Sequence, residues 1–276
     1  MGGLKVRQLT GNIGAEIGGI QIADEHSDDT IAEIRAALLA HKVIFFRGQT
    51  NLTPERHIAF GRRFGELEVH PLTPPDQPNP ELFRIPTGGK YGGPDIWHSD
   101  VTWRPEPSLG SILAMRKLPK LGGDTIWADM GLAFDMLPED IKERIRGLEA
   151  VHDFTRAFGR GQTEEVKARM REENPPQLHP VVRTHPETGR DTLYVNPSFT
   201  SHIDGMDAEE STALLDRLYR QMGIPDVQVR FRWTRTSVAF WDNRATQHYA
   251  VNDYLPSKRT VERVTIVGDK PFYRAV

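Results

Sequence analysis

The spacing of apolar residues changes period several times along the chain, and each change predicts an element. Lys5-Val6-Arg7-Gln8-Leu9 and Ile20-Gln21-Ile22 read as short strands, with the glycines from Gly11 to Gly19 as turn punctuation between them. A helix follows, capped at Ser27 or Asp28, with Ile31, Ile34, Ala37, Leu38 and Leu39 as its apolar stripe. Val43-Ile44-Phe45-Phe46 has no polar position, the pattern of a strand covered on both faces. Thr53-Pro54-Glu55-Arg56 carries a cap and a first-turn proline, so a second helix should run to about Phe64.

Residues 71 to 97 are rich in proline and glycine and read as a long loop, a length that in compact domains often serves as a lid. Ser111 to Trp127 looks like strand. Residues 129 to 147 look helical, with Pro138 opening a second segment, and Gln162 to Glu173 reads as an exposed, charged helix. Pro180 to Arg183 and Thr192 to Val195 flank a turn-forming His185-Pro186-Glu187-Thr188-Gly189, a hairpin signal. Ala208 to Met222 is an amphipathic helix, and three strand-like runs follow: Val227 to Trp233, Ser237 to Trp241 and Val261 to Val267. Short strands therefore dominate, without the regular alternation of a doubly wound sheet. The expected fold is α+β, mainly β: a double-stranded β-helix (jelly roll) core with flanking helices, in one domain spanning 1–276.

Composition narrows the function classes. The chain has 276 residues, 38% hydrophobic and 26% charged, which is ordinary for a globular protein. Its formal net charge is −3 and its 35 basic residues are dispersed, without the basic face a nucleic-acid binder needs. Mean hydropathy is −0.51 and no apolar run approaches membrane-spanning length, so neither nucleic acid nor membrane is expected as a partner. Met1-Gly2-Gly3-Leu4-Lys5 lacks the apolar core of a secretory signal, and a cytoplasmic location is the expectation. With no cysteine, disulfides, thiolate metal sites and cysteine nucleophiles are excluded.

Ten histidines remain as candidate ligands. His26, His41, His57 and His202 fall in helical or turn contexts and read as surface residues. His179 and His185 flank the hairpin and read as structural, and His152 as a core residue. His98 stands apart, in Trp97-His98-Ser99-Asp100. Residues two apart on an extended segment point the same way, so His98 and Asp100 can present a nitrogen and an oxygen to one point. That is two thirds of a 2-His-1-carboxylate triad, which holds Fe(II) on one face and leaves the other open. His-x-Asp alone is a common string. His248, about 150 residues downstream in Trp241 to Ala250, is a candidate third ligand that a jelly roll can bring close. Beyond it, Arg263 shares strand parity with Val261 and Thr265, and Arg259 lies four positions before it. Arginine's planar fork suits a buried carboxylate or sulfonate.

Six strings together resemble the taurine dioxygenase branch of the taurine/2,4-dichlorophenoxyacetate dioxygenase family. They are Phe64 to Leu67, Trp97 to Thr102, Gly122 to Trp127, His179 to Pro186, Trp241 to Ala250 and Gly268 to Arg274, in family order over essentially the whole chain. The resemblance implies an iron(II)- and 2-oxoglutarate-dependent dioxygenase that consumes O2, with His98, Asp100 and His248 as metal ligands. It implies that Thr125 and Arg259 bind the distal carboxylate of 2-oxoglutarate and that Arg263 lies near both co-substrate and substrate. It implies further that His70 helps hold a sulfonate, that Val101 follows the metal motif, and that Phe158 and Phe199 wall the substrate pocket. The implied substrate is a small anion such as taurine, and the implied assembly a homo-oligomer, dimer or tetramer.

Two positions depart from the pattern. Relatives that act on taurine carry a tyrosine three residues after the pocket histidine and an asparagine four before the first ligand, where this chain has Thr73 and Pro94. An alkyl sulfate or an aryloxyalkanoate would use the same anion clamp. A non-catalytic cupin-like binding protein is the reading from another class, and the intact triad argues against it. A zinc hydrolase would need a glutamate base beside the histidines, which is missing.

Overall fold

The computed structural model describes residues 4–74, 76–89 and 92–275. Pro75, Lys90 and Tyr91, inside the expected 71-to-97 loop, lie outside the described residues, as do Met1 to Gly3 and Val276. The architecture is mixed α+β with several antiparallel sheets. The largest has seven strands, in the order Lys5–Gln8, Ala15–Gly18, Val43–Phe46, Val238–Asp242, Gly110–Lys117, Arg259–Ile266 and Phe83–Thr87. Among the described residues only the pairing of Ala15–Gly18 with Val43–Phe46 is parallel. A three-stranded sheet, Gln228–Phe231, Thr125–Asp129 and Thr246–Ala250, packs against it.

Strand periodicity explains how one sheet serves two cores. In Val43–Phe46, Ile44 and Phe46 face the first helices while Val43 and Phe45 face the smaller sheet; in Val238–Asp242, Val238 and Phe240 oppose Ala239 and Trp241 in the same way. The helices Asp28–His41 and Pro54–Arg62 cover the first face with the stripe Ile31, Ile34, Ala37 and Leu38 and with Ile58 and Phe60. Both begin as the sequence predicts: the Ser27 and Thr53 hydroxyls accept from the amides of Thr30 and Arg56, three residues on. The second face is glued by rings. Phe45 stacks on Phe231 at 4.0 Å between centroids, and Trp127 meets Trp241 at 5.6 Å. Aromatic pairs contribute about 0.5–1.5 kcal/mol each beyond simple area burial, which favours one fixed spacing between the sheets. Gly110 lies tight against the neighbouring strand, since a Cβ there would come within 2.5 Å of the Trp241 carbonyl oxygen.

Three expectations need correcting. The 71-to-97 loop contains the strand Phe83–Thr87, hydrogen-bonded to Arg259–Ile266. Proline and glycine density hid it, and Pro86 is tolerated because the strand is at the sheet edge. The second N-terminal strand is Ala15–Gly18, inside the glycine-rich stretch, and Ile20 to Ile22 is not strand. His57 is not a surface residue: it is fully buried on the inner face of its helix, where Nε2 donates to the Ile112 carbonyl at 3.1 Å.

Burial pushes the His57 imidazole down to about 3, with Arg116 adding to the effect. Its folded value lies below the unfolded one of about 6.5, so it contributes full stability above that pH and loses it progressively as pH falls towards about 3. The metal-free protein should therefore melt at a lower temperature at about pH 4.5 than at about pH 7, and His57→Gln should narrow that gap. An unchanged gap in the variant would remove His57 from the acid response.

Candidate functional site

The three candidate ligands come together through a single backbone bridge. His98 and His248 exchange amide-to-carbonyl hydrogen bonds of 3.1 and 2.8 Å, which sets their rings 4.1 Å apart. Asp100 follows two residues after His98, and ligand atoms of His98, Asp100 and His248 all lie within 4.8 Å of one another in a buried cluster. Asn243 holds the turn below them. Its Oδ1 accepts from the Asp100 amide and from Trp241 Nε1, and its carbonyl accepts from the Ser99 hydroxyl at 2.6 Å.

The protonation of these groups suits a metal. His98 Nδ1 lies 2.8 Å from the Ile96 carbonyl, which can only accept, so the proton sits on Nδ1 and Nε2 keeps its lone pair. Burial pushes His98 down, against the pull of Asp100, and pushes His248 well below the usual imidazole range. Both rings are neutral donors at ordinary pH. Burial alone would raise the Asp100 carboxyl; the Arg263 guanidinium, the two imidazoles and the Ser111 hydroxyl outweigh it and hold the group far below the usual carboxylate range. Two imidazoles and one carboxylate, with no thiolate in the chain, form a donor set of the kind that non-haem Fe(II) takes on one face. His248 Nε2 lies 4.0 Å from Asp100 Oδ1 and is the nitrogen on the side of the cluster, while Nδ1 is buried with no partner among the described residues.

Arg259 and Arg263 project from one strand into the gap between the sheets, on the side of Val261. Arg259 Nη2 reaches Thr125 Oγ1 at 3.4 Å, and Trp233 Nε1 donates to the same hydroxyl at 3.0 Å. Among the described residues no carboxylate pairs with Arg259, its Nε has no acceptor, and burial lowers its pKa. A buried guanidinium without a counter-ion is costly, and an incoming carboxylate would relieve it. Arg263 Nη1 hydrogen-bonds Asp100 Oδ1, while its Nε is buried without a partner.

The remaining expected residues lie on the same side. His70 stacks on Phe83 at 4.3 Å and meets Phe158 edge-on at 6.2 Å. Its Nδ1 accepts from the Leu72 amide, so Nε2 carries the proton and is a donor. Burial, with Arg263 beside it, pushes His70 down to about 4 and keeps the ring neutral. Phe158 and Phe199 are 6.2 Å apart, and Phe199 is 6.5 Å from His98. Val101 is buried with them at φ 50, a left-handed conformation that a β-branched residue rarely adopts and that strains the turn after Asp100. Among the described residues Thr73 Oγ1 is buried without a partner. Pro94 contributes its carbonyl, which accepts from the Ala250 amide. The sequence reading missed Asn243, Ser111 and Trp233; only Asn243 had a signal, its place in the Trp241-to-Ala250 string. It also missed Glu68 and Arg104, whose contacts appear only in three dimensions.

The family model described as "Taurine catabolism dioxygenase TauD, TfdA family" matches residues 5–265. The chain belongs to this family. It is 37% identical to an alkylsulfatase of Acinetobacter baylyi over 96% of this chain and 86% of that one. It is 36% identical to an alpha-ketoglutarate-dependent sulfate ester dioxygenase of Pseudomonas putida, over 97% and 91%. The fold superposes on a taurine dioxygenase from Burkholderia xenovorans with TM-score 0.85 at 38% identity, covering 99% and 93% of the two chains. A TauD/TfdA protein of this kind is a 2-oxoglutarate-dependent dioxygenase that uses Fe(II) and acts on a small substrate. Among the described residues no helix is long and apolar enough to cross a membrane.

Metal should register as stability. A divalent ion at about 100 times its dissociation constant adds about 2.7 kcal/mol to a protein that binds it only when folded. Mn(II), which avoids oxidation during the scan, should raise the melting temperature by roughly 5–10 °C, and Asp100→Ala should abolish the rise. An equal rise in the variant would place the ion elsewhere.

Proposed function

We propose that this chain oxidises the carbon bearing the sulfur-linked anionic group of a small organosulfonate such as taurine, releasing sulfite, succinate and CO2. In this reading His98, Asp100 and His248 hold Fe(II). Arg259 and Thr125 hold the distal carboxylate of 2-oxoglutarate, with Arg263 beside its metal-binding end. The observation that carries it is a pair of buried guanidiniums beside a cluster of two neutral histidines and one carboxylate: among the described residues Arg259 has no carboxylate partner, and Arg263, paired with Asp100 through Nη1, keeps Nε without an acceptor. Two arginines four positions apart on one strand, each with hydrogen-bonding capacity left over, support a reading with two anionic reactants.

Fe(II) with 2-oxoglutarate and O2 supplies the conversion of C–H to C–OH. The protein's own part is placement. The His70 Nε2–H and the free edge of Arg263 orient the sulfonate, while Phe158, Phe199 and Val101 form an apolar wall that limits water. Once hydroxylated, the carbon carries both a hydroxyl and the sulfonate. The hydroxyl proton leaves, the C–O bond becomes a carbonyl, and the C–S bond breaks with its electron pair departing on sulfite.

An alkyl sulfate is the second reading. Two relatives at 36 and 37% identity are an alkylsulfatase and a sulfate ester dioxygenase, and Thr73 and Pro94 stand where taurine-acting proteins carry bulkier or amide side chains. The same hydroxylation would then break the ester C–O bond and release sulfate. The two sheets enclosing the site are read as a double-stranded β-helix within a single domain, active in the cytoplasm as a homo-oligomer.

The test supplies Fe(II)-loaded protein with 2-oxoglutarate, O2 and a panel of sulfonates, alkyl sulfates and aryloxy acids. Succinate with sulfite is expected for a sulfonate. Succinate with sulfate transfers the assignment to sulfate esters. Substrate-stimulated succinate only from an aryloxy acid overturns both. Arg263→Leu should lower kcat/KM by at least about 100-fold, because an anion-orienting contact and the partner of Asp100 are lost together.

A further inference from the structure

Glu68 is a carboxylate with only 5% of its side chain exposed, beside the site but outside every role assigned above. Its Oε1 lies 2.7 Å from Arg104 Nη2, off the direction of a linear hydrogen bond, so the contact is a close ion pair with no well-aligned donor on Oε1. Burial raises the Glu68 carboxyl, while Arg104 and Arg263 pull it down and Asp100 pushes it up, so four charges adjoin one another here.

The two partners belong to the two halves of the site. Glu68 is on the arm that carries His70. That arm continues the sheet antiparallel to the end of Arg259–Ile266: Leu67 bridges Ile266, and the Glu68 amide donates to the Thr265 carbonyl at 2.9 Å. Sheet pairing then stops. Among the described residues, backbone groups from Val69 to Thr73 hydrogen-bond only within the arm, apart from the Val69 carbonyl, which lies 3.5 Å from Arg104 Nη2. Arg104 therefore grips the arm where its backbone support ends. Arg104 itself is well anchored. Its amide donates to the Val101 carbonyl at 3.0 Å, its carbonyl accepts from His179 Nε2 at 2.9 Å, and its guanidinium lies 5.1 Å from the Trp103 ring centroid. It closes the strained turn that begins at Asp100.

We propose that the Glu68–Arg104 ion pair is a strap that fixes the His70 arm to the Asp100–Arg104 turn and so sets the distance between the substrate's anionic headgroup and the metal. Glu68 and Arg104 are positioning residues: they act through the His70 arm, holding it against the turn after Asp100, and need not touch the substrate. The proposal rests on the reading of those two residues as headgroup anchor and metal ligand. Exposed pairs such as Arg7–Glu16 couple weakly through solvent, whereas Glu68 is buried and Arg104 only partly exposed, so removing Arg104 leaves an uncompensated buried charge and frees what the pair held.

The test uses Glu68→Gln, Arg104→Met, the double variant and Arg104→Lys. Hydrogen exchange in the metal-free protein comes first because it needs no substrate. Each single variant should speed exchange in both 69–73 and 101–105, the double should be no worse than the singles, and Arg104→Lys should restore most of the protection. Loosening confined to the mutated segment overturns the strap. With active enzyme, KM for the anionic substrate should rise about 10- to 100-fold in the single variants. KM for 2-oxoglutarate and the visible absorption of the anaerobic Fe(II)–2-oxoglutarate complex should stay unchanged. An unchanged substrate KM, or equal losses for both reactants, also overturns it. Wild-type protein with no substrate-stimulated succinate would count against the proposed function and leave the exchange result to decide the strap.

Discussion

Asp100 must remain an anion in a place from which most water is excluded, and much of the surrounding structure follows from that requirement. Left to burial alone it would take a proton and cease to be a metal ligand. One oxygen accepts from Ser111 and the other faces Arg263. Those partners come from two neighbouring strands of the large sheet, and Asn243, from the turn after a third strand, fixes the backbone beneath the carboxylate. The aromatic layer between the sheets then sets how far His248 stands from that carboxylate.

The large features of this arrangement were legible in the sequence because they rest on local rules. The caps at Ser27 and Thr53, the two-sided strand Val43–Phe46 and the hairpin around His185 each follow from a few adjacent residues. Arg263 was placed inward by strand parity alone. The metal cluster needed more: His98 and Asp100 come from spacing, but His248 could be joined to them only by a fold that closes a long loop, and the order of six family strings supplied that.

What stayed hidden was hidden for physical reasons. Phe83–Thr87 is an edge strand, so it tolerates proline and presents only one flank to the sheet; its pattern is weak by nature. His57 sits in a charged helical stretch, and only the inward turn of its helix reveals that it is buried. The Glu68–Arg104 contact joins positions 36 apart, each in an ordinary polar context. No periodicity marks such a pair, because it arises from the packing of an arm against a turn.

The bridge between His98 and His248 also has a bearing on how the protein is made. The third ligand of the cluster, His248, leaves the ribosome 150 positions after His98, and the strand that carries it pairs with one laid down more than a hundred residues earlier. A nascent chain can therefore hold no complete iron site until nearly all of its sheets exist. Metal capture becomes a late event that follows correct assembly, and unfinished chains are spared a bound redox metal in the presence of oxygen.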